Sequence, residues 1–599
     1  MFLLTRRDLL AGAGALLLAK HATAAASEDA RLNAFLDAIF QRNLDRSPMR
    51  QSRLGIKRDQ DKWDDISERR QLEDYALYEA DLRALQKFDL AQLSAQGRLS
   101  YRMFDWLAKD SLEALRWRRN DYLVTQMSGI HARVPTTLIN SHPIGTAADA
   151  QAYIARLGGV ESLMRQLVIE LTRQEKAGVK PPRFVYALTI ESCENLLRGR
   201  PFTGDGGDSP LLADLRTKLA RANFTEAQRA ALLSRGERAL RDRTGPGYRH
   251  LIGHLRQAEA AATDADGVWK LPDGAAYYRW QLLSSTTLPS EAAELHALGL
   301  RQVARIHGEM LALMAGTGFS GSLHDFFVQV RQEPKFYYPD TADGRRQYVD
   351  DAKALLAEVQ GREDEFLTRK PGAQVIVRPV EEWREKSAPK AFYREPPADE
   401  SSPGIFYINL YDMKAAPKYQ LPAILYHEAV PGHHVETVIA HELPDVPRLR
   451  RFASISAFSE GWGLYSERLA SEMGLYRDSY ADFGRLSLEL MRACRLVADT
   501  GVHALRWSRE QAVTYLDDNM PSSHYDNQRE IDRYIVLPGQ ATSYYVGMMK
   551  ILELRERAKQ RLGASFDLRS FHDAVLENGP LPLPILEEVI DTWISRSAR

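Results

Sequence analysis

Tyr426-His427-Glu428-Ala429-Val430-Pro431-Gly432-His433-His434 places three of the chain's 15 histidines within eight residues, beside a glutamate. Zinc peptidases often carry a His-Glu pair with a second histidine four residues on, all on one helix. The two imidazoles bind the ion and the glutamate activates water. Here the fourth position after His427 is Pro431. On an unbroken helix His433 would be rotated about 240° from His427 and displaced by roughly 9 Å, while His434 would lie about 10.5 Å along the axis. Two nitrogens each about 2.0–2.1 Å from one ion cannot be that far apart. The helix must therefore be interrupted. Pro431-Gly432 supplies the means, because proline removes a ladder donor and glycine tolerates unusual dihedrals. If these two residues loop out, His433 drops into the register of a helical fourth position, whereas His434 would need three looped out. The spacing favours His433.

Outward from this motif the chain reads as helical. Val160, Leu163, Met164, Leu167 and Leu171 recur at three- and four-residue steps until Gly178 and Pro181-Pro182 stop the run. Similar patterns run from Arg31 to Ala108, from Ser290 to Met314 and from Arg346 to Thr368. Ala373–Pro379 and Ile405–Leu410 are the clearest strands, and both lie close to the motif. Gly204–Pro210 and Pro389–Pro403, crowded with Gly, Pro, Ser and Asp, read as loops. The expected architecture is mainly α with a small β-sheet near the active site. It divides near residue 290 into an N-terminal helical region, 27–290, and a C-terminal helical region, 291–599, that holds the metal site.

Composition narrows the function. The 599 residues carry 79 Lys and Arg against 80 Asp and Glu, a net charge of −1, which gives no reason to expect nucleic acid as a partner. With 44% hydrophobic and 27% charged residues the chain is globular rather than disordered. Its two cysteines, Cys193 and Cys494, cannot build a disulfide framework or a cysteine zinc site, so any metal must rest on His, Asp or Glu. Residues 1–26 read as a twin-arginine (Tat-type) export signal. Arg6-Arg7 precedes an apolar run from Leu9 to Ala19, and small residues follow from Ala22 to Ala26. That run is far short of the about 20 residues a membrane span needs. A periplasmic or otherwise exported protein with no stable membrane insertion is expected.

A third metal ligand should come from another helix. Ser459-Glu460-Gly461-Trp462-Gly463-Leu464-Tyr465-Ser466-Glu467 offers Glu460 and Glu467 at helical spacing. Either would complete a His2Glu set with one open position, the catalytic rather than the structural arrangement.

His427 to Glu436, Glu460-Gly461-Trp462, and Arg533-Tyr534 followed by Pro538-Gly539-Gln540 together resemble the DUF885 family of bacterial proteins. That family's motif, H-E-x-x-P-G-H-x-x-Q, is similar to a modified gluzincin metallopeptidase signature. Leu271-Pro272-Asp273-Gly274 with Tyr277-Tyr278 extends the resemblance towards the N-terminus. It implies a multi-helix gluzincin-like metallopeptidase fold, and the first histidine of the family's pair corresponds to His433. One departure is Glu436, where the family pattern usually has Gln.

The ligand set expected for one zinc ion is His427, His433 and Glu460. Glu467 is then a solvated or supporting residue, and His434 supports the site or faces substrate. Helical gluzincins generally recruit an oxyanion donor far downstream of the metal motif. Tyr544, after the Pro538-Gly539-Gln540 block, is the candidate, and Tyr545 points roughly 100° away on a helix. Arg533 is expected to hold a substrate carboxylate or to orient the site. The activity these residues suggest is hydrolysis of peptides or small amides by metal-activated water, with Glu428 as the base. Ile405–Leu410 would serve as an edge strand that pairs with extended peptide. The rivals are a metal-dependent hydrolase of a non-peptide amide or ester and a non-catalytic helical binding protein. Glu428 beside the ligands counts against the second, because a structural zinc needs no free carboxylate there.

Overall fold

The computed structural model describes residues 27–598, apart from 205, 382–384, 386–388 and 398–401; the expected export signal, 1–26, lies outside the described residues. Helix begins where the sequence offers a cap. Ser27, Ser47, Ser67 and Ser94 each accept a hydrogen bond from the backbone N–H three residues on. Thr146 and Asp149 form a reciprocal capping box ahead of the helix Ala147–Lys176. That helix buries Val160, Leu163, Met164, Leu167 and Leu171, the stripe visible in the sequence, and anchors an N-terminal core with the helices Arg183–Leu196 and Gly245–Ala260.

A larger core spans Val268 to Ile594 and also takes in Leu99, Met103 and Trp117. The division expected near residue 290 falls inside it. Leu271, Tyr277, Tyr278 and Leu282 belong to this core, with Tyr277 also against Trp117, because the helix Gly274–Thr286 is buried against the C-terminal elements.

The site is built by a three-stranded sheet and seven helices, labelled here in chain order. They are α1 (Ala292–Gly316), β1 (Val375–Pro379), β2 (Ala391–Arg394), β3 (Gly404–Ile408), α2 (Leu421–Glu428), α3 (His433–His441), α4 (Ser456–Glu472), α5 (Ser479–His503), α6 (His524–Val536) and α7 (Ser543–Leu562). The strand order is β1-β3-β2, with β3 parallel to β1 and antiparallel to β2. Both strands expected from the sequence are present, but β3 is central and buried along its whole length, so it cannot be the edge that receives a peptide. Its unbroken apolar run is the pattern of a strand covered on both faces. The edge next to the motif is β2, four residues inside the stretch read as a loop, where flanking proline and charge hide a strand this short.

Small residues let the long helices close up. A side chain at Gly299 of α1 would meet Val497 of α5 at 2.6 Å. A Cβ at Gly461 of α4 would lie 2.6 Å from the Gly547 Cα of α7. The first closes α1 on α5 and the second α4 on α7, and α4, α5 and α7 all contribute to the wall of one cleft. No helix among the described residues is long and apolar enough to cross a membrane.

Candidate metal centre

The helix carrying His427 stops at Glu428. Ala429 has φ −108° and ψ −102°, the Val430–Pro431 peptide is cis, and Gly432 has φ −76° and ψ −131° before α3 restarts at His433. Gly432 is required sterically, since a Cβ there would sit 1.9 Å from the His427 carbonyl oxygen. The Trp462 indole N–H of α4 donates to the Pro431 carbonyl at 2.8 Å and ties the break to the next helix. The interruption brings the His427 and His433 rings to 4.8 Å between centroids, nearly perpendicular at 88°.

His434 turns the other way. Its Nε2 lies 2.9 Å from the Ala373 carbonyl and its Nδ1 2.9 Å from the Tyr393 hydroxyl, so both nitrogens are spent on the segments that lead into β1 and form β2. Burial pushes its pKa down to about 4 and keeps it neutral. It fastens the sheet to α3 and stands outside the cluster formed by His427, His433 and Glu460.

On α4 the glycine at 463 makes room for the His427 ring, which a Cβ there would approach to 2.7 Å. Glu460 Oε2 then lies 3.5 Å from His427 Nε2 and 3.6 Å from His433 Nε2. Glu467 Oε1 lies 2.8 Å from His427 Nδ1. Behind His433, Glu436 approaches Nδ1 at 3.8 Å and accepts a hydrogen bond from the Ser459 hydroxyl at 2.9 Å.

Burial opposes charge on these groups, yet the carboxylates prevail. Glu460 and Glu467 raise the pKa of His427, Glu436 and Glu460 raise that of His433 well above its usual value, and the two imidazoles hold Glu460 well below the carboxylate range. The centre thus favours positive charge where the three side chains converge. One donor atom from each of His427, His433 and Glu460 falls within 4.8 Å of the others, the one such cluster among the described residues. Four-coordinate zinc with bonds of 2.0–2.2 Å spaces its donors by about 3.3–3.5 Å. The two His-to-Glu distances are already within a few tenths of an ångström of that, so this donor set fits one zinc ion.

The cluster opens onto a cleft of about 650 Å³. Glu428 lines it, and its Oε2 accepts the Tyr393 backbone N–H of β2 at 3.0 Å. That N–H points away from β3, so antiparallel pairing places the Tyr393 carbonyl on the same outer edge. Tyr544, in the first turn of α7, also lines the cleft, with the Arg495 guanidinium 4.6 Å above its ring. Tyr545 faces away, its hydroxyl bonded to Gln302 at 3.0 Å, Arg305 at 3.1 Å and Glu489 at 3.3 Å.

Arg533 does not reach the cleft wall. Its guanidinium donates to the Gln540 side chain at 2.5 Å and stands 3.8 Å from Glu530, so it fastens the turn before α7. Of the arginines that do line the cleft (Arg50, Arg53, Arg451, Arg492 and Arg495), Arg492 and Arg495 lie one turn apart on α5. Their i,i+3 spacing is visible in the sequence, but nothing local distinguishes it from an ordinary helix face.

Residues 48–590 match the family described as bacterial protein of unknown function, DUF885, and the chain belongs to that family. Its fold is similar to that of a candidate lipoprotein from Colwellia psychrerythraea, 29% identical, with a TM-score of 0.90 over 95% of this chain and 100% of the other. A candidate lipoprotein of unknown function from Shewanella oneidensis, 18% identical, shares the fold with a TM-score of 0.71 over 94% of this chain and 99% of its own. No curated protein matches the chain.

Proposed function

We propose that this chain is an exported zinc-dependent peptidase of gluzincin type. The observation that carries the reading is the convergence of His427, His433 and Glu460 in an open cleft, with a further carboxylate, Glu428, beside them and not among the donors. Bound zinc supplies Lewis acidity, polarising a carbonyl and easing the deprotonation of water. Glu428 accepts the proton of the attacking water and returns it to the leaving nitrogen. The Tyr393 N–H holds that carboxylate in place. Tyr544 donates its hydroxyl hydrogen to the carbonyl oxygen as negative charge gathers there. The outer edge of β2 offers main-chain hydrogen bonds to an extended substrate, which favours a peptide over a small amide or ester. Export is supported by Arg6-Arg7 before the apolar run and by the description of both similar structures as candidate lipoproteins.

Metal analysis of the purified protein, combined with hydrolysis of a mixed peptide library with and without a chelator, tests the reading. Zinc close to one per chain and chelator-sensitive cleavage are expected. Cleavage that survives chelation, or none from zinc-loaded protein, would remove it.

A further inference from the structure

Arg492 sits in the middle of α5, buried, on the wall of the same cleft. A guanidinium taken out of water needs good partners for its charge. Those of Arg492 are poor. Nη1 reaches the Leu488 carbonyl at 3.3 Å, Nη2 stands 3.9 Å from Glu467 Oε1, and Nε is buried with no hydrogen bond among the described residues. The Glu467 contact is too long for a hydrogen bond, and the same oxygen already serves His427 Nδ1 at 2.8 Å.

Arg495, one turn on, is better engaged: Tyr534 and Glu530 take its Nε and Nη2, although its Nη1 too has no hydrogen bond among the described residues, and the Tyr544 ring lies 4.6 Å from its guanidinium and 5.7 Å from that of Arg492. Arg50, Arg53 and Arg451 also border the cleft, but Arg50 lies against the ring of Phe40, Arg451 against that of Phe452, and Arg53 acts on the charge of Glu395 rather than on the metal cluster. Arg492 is therefore the cleft cation that approaches the cluster, through Glu467, and that no carboxylate among the described residues meets within hydrogen-bond distance.

Building on the peptidase reading, we propose that Arg492 anchors the C-terminal carboxylate of the substrate, so that the enzyme removes residues from the C-terminal end of peptides. The planar fork of an arginine matches a carboxylate with two parallel N–H···O bonds. An extended chain advances about 3.3–3.6 Å per residue. A carboxylate held beside Glu467, whose oxygen touches a ligand of the cluster, thus leaves room for a residue or two between the chain end and the bond at the centre. The same guanidinium could receive an acidic side chain, and the experiment separates the two sources.

Three N-acylated peptides are compared on the zinc-loaded protein: one with a free C-terminus, the same sequence C-terminally amidated, and an amidated peptide that differs only in having glutamate as its last residue. Amidation is expected to lower kcat/KM by about 10–100-fold, the scale of one lost charge-assisted pair, mainly through KM. Terminal glutamate should not restore the loss. Arg492→Gln should bring the free peptide down to the level of the amide and leave the amide within a few fold, while Arg492→Lys recovers part of the difference. Equal turnover of free and amidated peptides by the unaltered protein overturns the anchor while leaving the peptidase reading intact, and needs no variant. Rescue by terminal glutamate overturns it in favour of side-chain recognition, and an equal fall in kcat on all three peptides with Arg492→Gln overturns it in favour of a role at the oxyanion. Calorimetric binding of the free and amidated peptides to Glu428→Gln reads the anchor without turnover. Tighter binding of the free acid supports it even if no peptide is cleaved, and equal binding overturns it.

Discussion

Glu467 Oε1 lies 2.8 Å from His427 Nδ1 and leaves Nε2 of the same ring to face Glu460, two turns earlier on α4. One helix thus grips both nitrogens of an imidazole carried by another, and the carboxylate at Nδ1 selects the tautomer whose Nε2 lone pair can bind a metal. Removing such a support typically weakens metal affinity about 10–100-fold. Glu467→Ala is expected to do so in a chelator-competition titration, and Glu467→Gln, whose amide oxygen can still accept from Nδ1, to do less. Unchanged affinity in Glu467→Ala would show that the contact only packs.

Single alanine replacements of His427, His433 and Glu460 should each empty most of the zinc site, as read by metal analysis. His434→Ala should keep the metal but lose the links to Ala373 and Tyr393, costing about 1–3 kcal/mol of stability in thermal or denaturant unfolding. Loss of zinc from His434→Ala with retention in His433→Ala would reverse the assignment.

Glu428→Gln should retain zinc and peptide binding and lose about 10²–10⁴-fold in turnover, the usual share of a general acid–base group. Near-normal cleavage by a zinc-loaded variant would take Glu428 out of the mechanism.

Tyr544→Phe should preserve folding and zinc while lowering kcat by about 10²–10³-fold. Tyr545→Phe, which removes buried hydrogen bonds to Gln302, Arg305 and Glu489, should instead lower the melting temperature with little change in kcat. Similar small losses of kcat from both would mean that neither tyrosine supports the oxyanion.

Burial pushes the pKa of His131, His142, His503 and His572 down to about 4, and all four lie outside the cleft lining. The unfolded chain therefore binds more protons than the folded one between the ordinary histidine pKa and about 4. Stability should be full above roughly pH 6.5 and fall as the pH drops through that window, by up to about 1.4 kcal/mol per pH unit for each histidine. Denaturant unfolding measured from pH 7.5 to 4.5 checks this, and a flat curve would contradict it.

The chain itself determined the features that depend on near neighbours. Helix starts are written in Ser27, Ser47 and Thr146, the first core helix in the stripe from Val160 to Leu171, and the placing of His433 in Pro431-Gly432. Each is settled within a few residues by backbone donors, ring sterics or helical period, so it can be read without the rest of the molecule. Tertiary structure decided the contacts between segments far apart in sequence. His427 meets Glu467 40 residues on, and Tyr393 meets His434 across 41. β2 became the edge and β3 the centre because β1 and β2 both pair with β3, and neither pairing is encoded within a single strand. Arg492 faces the cleft while Arg533 is spent on Gln540, although each is one more arginine in a helix. Which of them reaches the cleft depends on how α4, α5 and α7 cross, and that is set by close approach at Gly461 and Gly547 and by burial across the whole core, since no local pattern states which helix faces will meet.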